Sequence, residues 1–360
     1  VRSRVVVDLR AIAANLARLR AAHGGDVWAV VKADGYGHGA VPVGGAALAA
    51  GAVGLTVATL GEARTLRSAF PDARILVLSP LVPGEEAGVA GIEVAVSSLD
   101  GWRRLRAAAP ATAVHVKVDT GMGRWGLTPA DAIAVGDELA AGVPGLRLAG
   151  LMSHLATAEE EDESFARHQV DVFRAVAASF PPCPRHLANS GGALYLPFAR
   201  ADAARCGIAL YGISPRDRAP AADGLVPALT WTSEVRATRD LAAEESSGYG
   251  RRILASAPLR LALVPVGYAD GFPRPAAGGA TVLIDGRRAT VGAVAMDQLA
   301  VVLPDDLDVA AGAIVTIVGR DGGEEATLSG LARAAGTIGY ELACGLRHRP
   351  DRSAREVSGG

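Results

Sequence analysis

Aromatic side chains make up only 4% of this 360-residue chain, and cysteine is nearly absent. The three cysteines, Cys183, Cys206 and Cys344, are odd in number, far apart and in no metal-ligand spacing. That pattern excludes a disulfide-stapled scaffold and a cysteine-bound metal, and it reads as a reduced, cytoplasmic protein. Net charge is lacking as well. A balance of -2 supplies neither the basic surface that binds nucleic acid nor one that is drawn to a membrane. Long hydrophobic runs are missing, so nothing reads as a bilayer span. Residues 1–20 hold charges and helical periodicity where a signal peptide would need an apolar core. What the chain does have is a 50% hydrophobic composition. Its length suits two or three domains, or one barrel with a smaller domain beside it.

The first part of the chain alternates. Short apolar or β-branched runs at 27–32, 54–58, 74–79, 93–97, 113–119, 146–154, 185–189 and 202–207 read as strands. Helical patterns fill most of the gaps, at 40–50, 61–69, 99–109, 129–140 and 160–179, and a strand at 5–9 and a helix at 10–22 come before them. Such alternation implies a parallel sheet. Eight units predict an α/β fold, an N-terminal (β/α)8 TIM-type barrel. Past residue 225 the pattern changes. An alternating stretch at 229–241 and strands at 259–268, 280–284, 288–295, 299–303 and 313–318 are separated by Gly, Pro and Asp, and helical signal returns at 327–335. The predicted domains are therefore a barrel over 1–225 and a mainly β domain over 226–360, joined by a Pro- and Ala-rich linker at 219–227. Residues 1–10 can pack with the second domain. The polar end, 347–360, is expected to fray.

Barrel active sites lie at the C-terminal ends of the strands. The first strand ends at Lys32, inside W-A-V-V-K-A-D-G-Y-G-H-G. A lysine that closes a buried strand and points into a glycine-rich loop is unusual, and desolvation frees its amine to act as a Schiff-base nucleophile or a base. The fifth strand carries Lys117 and Asp119 and runs into a loop with Arg124. The sixth ends at His154, the seventh at Asn189 and Ser190, and the eighth carries Arg205 before Gly207 and Ile208. Loops after the seventh and eighth strands often bind phosphate. A phosphate beside an activated lysine suggests pyridoxal phosphate. Taken singly, several of these residues have plainer readings. His154 reads as a core histidine, Lys117 as a solvated lysine on the alternating His115, Lys117, Asp119 strand, and Arg205 as a surface partner of Asp202.

Taken in order, the motifs resemble those of the alanine racemases over essentially the whole chain. They are V-V-K-A-D-G-Y-G-H-G at Lys32, K-V-D-T-G-M-G-R from Lys117 to Arg124, S-H-L-A-T-A at His154, A-N-S-G at Asn189 and R-C-G-I-A-L-Y-G at Arg205. Further on come G-Y-G at Tyr249, G-Y-A-D-G at Tyr268, M-D-Q at Met296 and I-G-Y-E at Tyr340. The resemblance implies pyridoxal 5'-phosphate as cofactor, alanine as substrate, D-alanine for peptidoglycan as product, and a homodimer with composite active sites. Racemisation needs a base on each face of Cα. The resemblance makes Lys32 the cofactor anchor and first base, and Tyr249, from the partner subunit, the second. It makes Arg205 the pyridine-nitrogen partner, oriented by His154. Tyr36, Ser190, Gly207, Ile208 and Tyr340 become phosphate contacts, with Asn189 beside them. Arg124 and Met296 become substrate contacts, with Asp297 adjacent. Tyr268 and Tyr340 line the entrance and Arg274 lies further out. Lys117 matches a lysine that is carbamylated in many members.

Three positions depart from the family pattern. Ala295 stands where a cysteine is usual, Ala293 where an arginine is common, and Cys206 where proline or phenylalanine is usual. The two bases are untouched, while charge and bulk near Tyr249 are reduced. A racemase of broader specificity, acting for example on serine, is therefore an alternative reading. A decarboxylase of the same barrel class is disfavoured by Arg205, because such enzymes use an acidic partner at the pyridine nitrogen. A non-catalytic cofactor-binding protein would not need the C-terminal third.

Overall fold

A computed structural model describes residues 2–108 and 110–346, and the backbone of 351–355. The chain opens with strand β1 (Ser3–Asp8) and helix α1 (Leu9–His23), whose first amides bond the Asp8 carboxylate. Ile12, Leu16 and Leu19, spaced for one helix face, are fully buried. Then come β2 (Asp26–Val30), the single turn α2 (Lys32–Tyr36), α3 (Ala40–Ala49), β3 (Gly54–Val57) and α4 (Leu60–Ala69). Next are β4 (Ile75–Val77), β5 (Glu93–Val96), α5 (Leu99–Ala108), β6 (Thr112–Lys117), α6 (Pro129–Ala141) and β7 (Leu146–Met152). After these come α7 (Ser164–Ala178), β8 (Arg185–His186), α8 (Ser190–Tyr195) and β9 (Ala203–Cys206). Strands β2 to β9 form a closed barrel in sequence order. Parallel pairing of β2 with β9, which sets Trp28 opposite Arg205, closes it. The predicted barrel is present.

The second part holds β10 (Leu229–Glu234), β11 (Ala237–Leu241), β12 (Ser246–Ser247), β13 (Ile253–Leu254), β14 (Leu259–Val264) and β15 (Thr281–Ile284). It continues with β16 (Arg287–Val294), β17 (Leu299–Val302), β18 (Ile314–Asp321), β19 (Glu324–Ala326), helices α9 (Leu328–Ala335) and α10 (Gly339–Gly345), and β20 (Asp351–Arg355). Its main sheet runs β11-β14-β17-β16-β15-β18-β10-β1-β20. All its pairs are antiparallel except the last, where β1 and β20 run parallel. By its internal contacts the chain divides into Ile12–Val226 and a unit made of the residues up to Ala11 with those from Pro227 on.

Several expectations are corrected. The end of the chain was expected to fray, but residues 351–355 pair with β1; residues 347–350 and 356–360 lie outside the described residues. Stretch 229–241 is two strands, broken at Val235 and Arg236. The helix expected from 160 starts at Ser164, because the acidic run before it forms turns. Helix α10, which carries Tyr340, was not predicted; its glycines hid it. The supposed linker is firmly held. Pro220–Asp223 is a 3-10 turn, and the buried Asp223 carboxylate accepts from Tyr195 Oη and Arg218, while its carbonyl accepts from Arg18.

Candidate active site

Lys32 follows β2 and is half-buried. Beyond it the backbone turns left-handed: Ala33, Asp34 and Tyr36 have φ of 53°, 52° and 50°. Such backbone costs a non-glycine residue about 1–2 kcal/mol, so other bonds must hold it. Glu62, at the start of α4, accepts from the Ala33 amide through Oε1 and from the Ala58 and Thr59 amides through Oε2. Asp34 accepts from the Ala40 amide. A strained, over-determined turn next to a lysine marks a site where geometry is fixed at the expense of stability.

The turn delivers Tyr36 into the barrel mouth, buried, with its ring 5.0 Å from that of Tyr211. A Cβ on Gly207 would lie 2.5 Å from Tyr36 Oη, so glycine is required there by contact. Ser190 Oγ accepts from the Gly207 and Ala209 amides at 3.0 and 3.4 Å. Tyr36, Ser190, Gly207 and Ile208 are thus brought together at the ends of β8 and β9. Asn189 caps α8, its Oδ1 accepting from the Gly192 amide.

Arg205 is buried inside the barrel. Its Nη1 donates to His186 Nδ1 and to the His186 carbonyl, and its Nη2 to the Ser153 carbonyl and to His154 Nδ1. These four bonds use both Nη groups. Nε–H meets no acceptor among the described residues. The surface pairing with Asp202 does not occur; Asp202 accepts from the Arg185 amide instead. Burial lowers the guanidinium to about 10, still charged at neutral pH. His154 is held well below its ordinary value by burial and by Arg205, Lys117, Arg124 and Lys32, so it is neutral.

Lys117 is buried rather than solvated, because β6 lies inside the barrel with every residue buried. Burial, then Arg205 and Arg124, bring its amine down to about 8; Asp119 opposes this and Lys32 adds to it. Asp119 accepts from the Gly121 and Gly123 amides and so shapes the loop that exposes Arg124. The barrel mouth therefore gathers Lys32, Lys117, Arg124 and Arg205 with Asp119 as the nearby carboxylate, an excess of cations that fits an anionic ligand.

The remaining candidates lie in the second unit. Tyr249 starts a 3-10 turn and is 87% exposed. With Arg252, Arg274, Pro275, Ala277, Ala293 and Val294 it lines a cavity of about 210 Å³. Arg274, expected further out, thus shares a cavity with Tyr249. Ala293 forms part of the cavity wall and packs closely on Gly248, its Cβ 3.0 Å from where a Cβ on that glycine would lie. Amides of Tyr268 and Ala269 bond the carbonyls of Ala295 and Met296, which sets Tyr268 beside Met296. Met296 and Asp297 are exposed, and Asp297 holds Arg2 through its carbonyl. Tyr340 is half-buried at the start of α10.

Sequence reasoning missed the residues behind Arg205: Glu93, His115 and His186, all buried. The signal was a carboxylate opening the otherwise apolar strand β5. It also missed that Lys32 and Lys117 are the only lysines in the chain.

A closed parallel barrel with a strained lysine turn and a cationic mouth defines the barrel class of enzymes, with a mouth whose charge suits an anionic ligand. Comparison with known proteins narrows the class. The alanine racemase N-terminal domain matches residues 7–215 and the C-terminal domain residues 228–354. The chain belongs to the alanine racemase family. It is 43% identical to the alanine racemase of Symbiobacterium thermophilum, over 96% of this chain and 95% of that protein. Alanine racemase from E. faecalis superimposes with a TM-score of 0.91 at 36% identity, covering 98% of each chain. Alanine racemase from Bartonella henselae, solved with covalently bound pyridoxal phosphate, gives 0.89 at 28%, covering 99% of this chain and 100% of that one.

Proposed function

We propose that this chain interconverts L- and D-alanine with pyridoxal 5'-phosphate, using Lys32 and Tyr249 as the two bases. The observation that carries the reading is Arg205: a buried cation whose one remaining donor, Nε–H, meets no acceptor among the described residues. An unprotonated pyridine nitrogen is the acceptor that donor fits. When bound, the cofactor withdraws electrons from the substrate's Cα and so acidifies its proton. Arg205 can only donate, so it keeps that withdrawal moderate and favours prompt return of the proton.

The chain's own residues do the rest. Lys32 would hold the cofactor, and its free amine would move the proton on one face of Cα. Tyr36, Ser190, Gly207 and Ile208 surround the phosphate, with Tyr340, and Asn189 keeps Ser190 in place by capping α8. Arg124 holds the substrate carboxylate, and a carbamate on Lys117 would position that arginine. His154 orients Arg205. Tyr249 serves the opposite face of Cα, and Met296, Asp297 and Tyr268 stand near it. Arg252 and Arg274 line the same cavity as Tyr249. We place Tyr249 in the site of a second copy of the chain, because its side chain is almost wholly exposed and a homodimer would cover it. The reading places the protein in the cytoplasm, where D-alanine is made for peptidoglycan.

The test is an alanine assay. Purified protein with pyridoxal 5'-phosphate should bring L- and D-alanine to the same final mixture from either side. It should show a visible absorption band that Lys32→Ala abolishes. Indifference to alanine alongside turnover of serine would shift the reading to a racemase of shifted specificity, which the small Ala293 in the cavity wall favours. A band without turnover of any amino acid would leave a cofactor-binding protein.

A further inference from the structure

Behind Arg205 a hydrogen-bonded chain crosses the barrel interior. His186 Nδ1 lies 2.9 Å from Arg205 Nη1, and His186 Nε2 lies 2.8 Å from His115 Nδ1. His115 Nε2 lies 2.6 Å from Glu93 Oε2, and Arg74 donates to both Glu93 oxygens at 2.6 and 2.9 Å. Trp28 clamps the middle. Its ring stacks on His186 at 27°, meets His115 edge-on at 85°, and has the Arg74 guanidinium carbon 4.6 Å from its centroid. Space for two touching imidazoles exists because residue 150 is glycine: a Cβ there would lie 2.6 Å from His115 Nδ1 and 3.1 Å from His186 Nε2.

One assignment of hydrogens satisfies this chain. Arg205 is a donor only, so His186 Nδ1 must be a bare acceptor and its proton sits on Nε2. That proton goes to His115 Nδ1, so His115 carries its own proton on Nε2 and gives it to Glu93. Glu93 can accept because it is ionised: burial pushes it up, but the bonds from His115 and Arg74 outweigh burial and bring it down to about 2. Both histidines are lowered, chiefly by burial, and stay neutral. Every hydrogen therefore points from Arg205 toward Glu93.

We infer that Glu93 is a positioning residue for the reaction, acting through His115 and His186 to fix their tautomers and thereby the aim of the Arg205 Nε–H. Without an acceptor at 93, His115 gains by moving its proton to Nδ1. His186 then carries its proton on Nδ1, against an arginine N–H, and Arg205 must turn away. This deepens the proposed racemase reading and rests on it.

The test is ¹⁵N-histidine NMR on the full-length protein with pyridoxal 5'-phosphate added, using His115→Gln and His186→Gln for assignment among the seven histidines. In the wild type both imidazoles should be neutral with the proton on Nε2. Glu93→Gln, which still offers an oxygen, should keep that pattern. Glu93→Leu should give mixed tautomers, and kcat should fall about tenfold to a hundredfold, the scale on which losing an outer partner of an imidazole acts, with KM much less affected. A proton on Nδ1 of either histidine in the wild type overturns the inference, as does an unaltered pattern in Glu93→Leu. Should the leucine variant not fold, the wild-type tautomers decide. Nε2–H tautomers in a protein that does not racemise would sink the functional reading alone; Nδ1–H in an active racemase would sink only this inference.

Discussion

Lys32 and Lys117 stand among 36 lysines and arginines as the only two lysines. Elsewhere this chain uses the guanidinium, which stays protonated at accessible pH and cannot serve as a nucleophile. Both surviving amines lie in the barrel mouth, and at Lys117 burial and neighbouring cations favour the neutral form. For Lys117 the amine titrates near about 8, so it is charged below that pH and neutral above it. Only the neutral amine adds carbon dioxide. Incubation with ¹³C-bicarbonate should therefore label Lys117 as a carbamate, with occupancy rising as pH passes about 8. The signal should vanish in Lys117→Ala. No label at pH 9, or label that survives the substitution, would remove the carbamate from the account. At this scale the motifs named every proposed contact in the mouth, yet not Glu93, His115 or His186. A motif records residues that face the ligand, whereas these three face one another, and a register shift between β6 and β7 at Val114 and His115 sets their juxtaposition.

The elements were legible where one force dominates. Closely spaced buried runs specified the barrel strands, and the Thr59–Glu62 capping box marks the start of α4. Boundaries failed where side chains override local pattern. β8 has only Arg185 and His186, because Asn189 leaves the strand to cap α8. The left-handed turn after Lys32 shows in the sequence only as a glycine-rich loop, since Ala33 and Tyr36 carry no signal for positive φ. Contact between that turn and the end of β9 gives an element-level prediction. In Gly207→Ala the new methyl meets the buried Tyr36 ring, and overpacking of this kind costs about 1–3 kcal/mol. Titration of the apoprotein with pyridoxal 5'-phosphate, followed by absorbance, should show affinity lowered by about tenfold. Unchanged affinity would mean that the Tyr36 and Gly207 contact does not shape the phosphate site.

The whole molecule has two units with different duties. One carries Lys32 and the cationic mouth. The other presents Tyr249, Tyr268 and Met296 largely to solvent, at 87%, 42% and 57% exposure, around the Ala293 to Asp297 stretch. No local pattern could announce that arrangement, because in the proposed composite site it would depend on which surface a second copy covers. Among the described residues no helix is long and apolar enough to cross a membrane. In the proposed composite site, Lys32 of one copy meets Tyr249 of another. Co-expression of Lys32→Ala and Tyr249→Phe chains under different tags, followed by purification through both tags, isolates the hybrid dimer. Each variant alone should fail to racemise alanine, while the hybrid, with one intact site of two, should recover about half the wild-type rate per dimer. A hybrid as inactive as its parents would contradict the composite site.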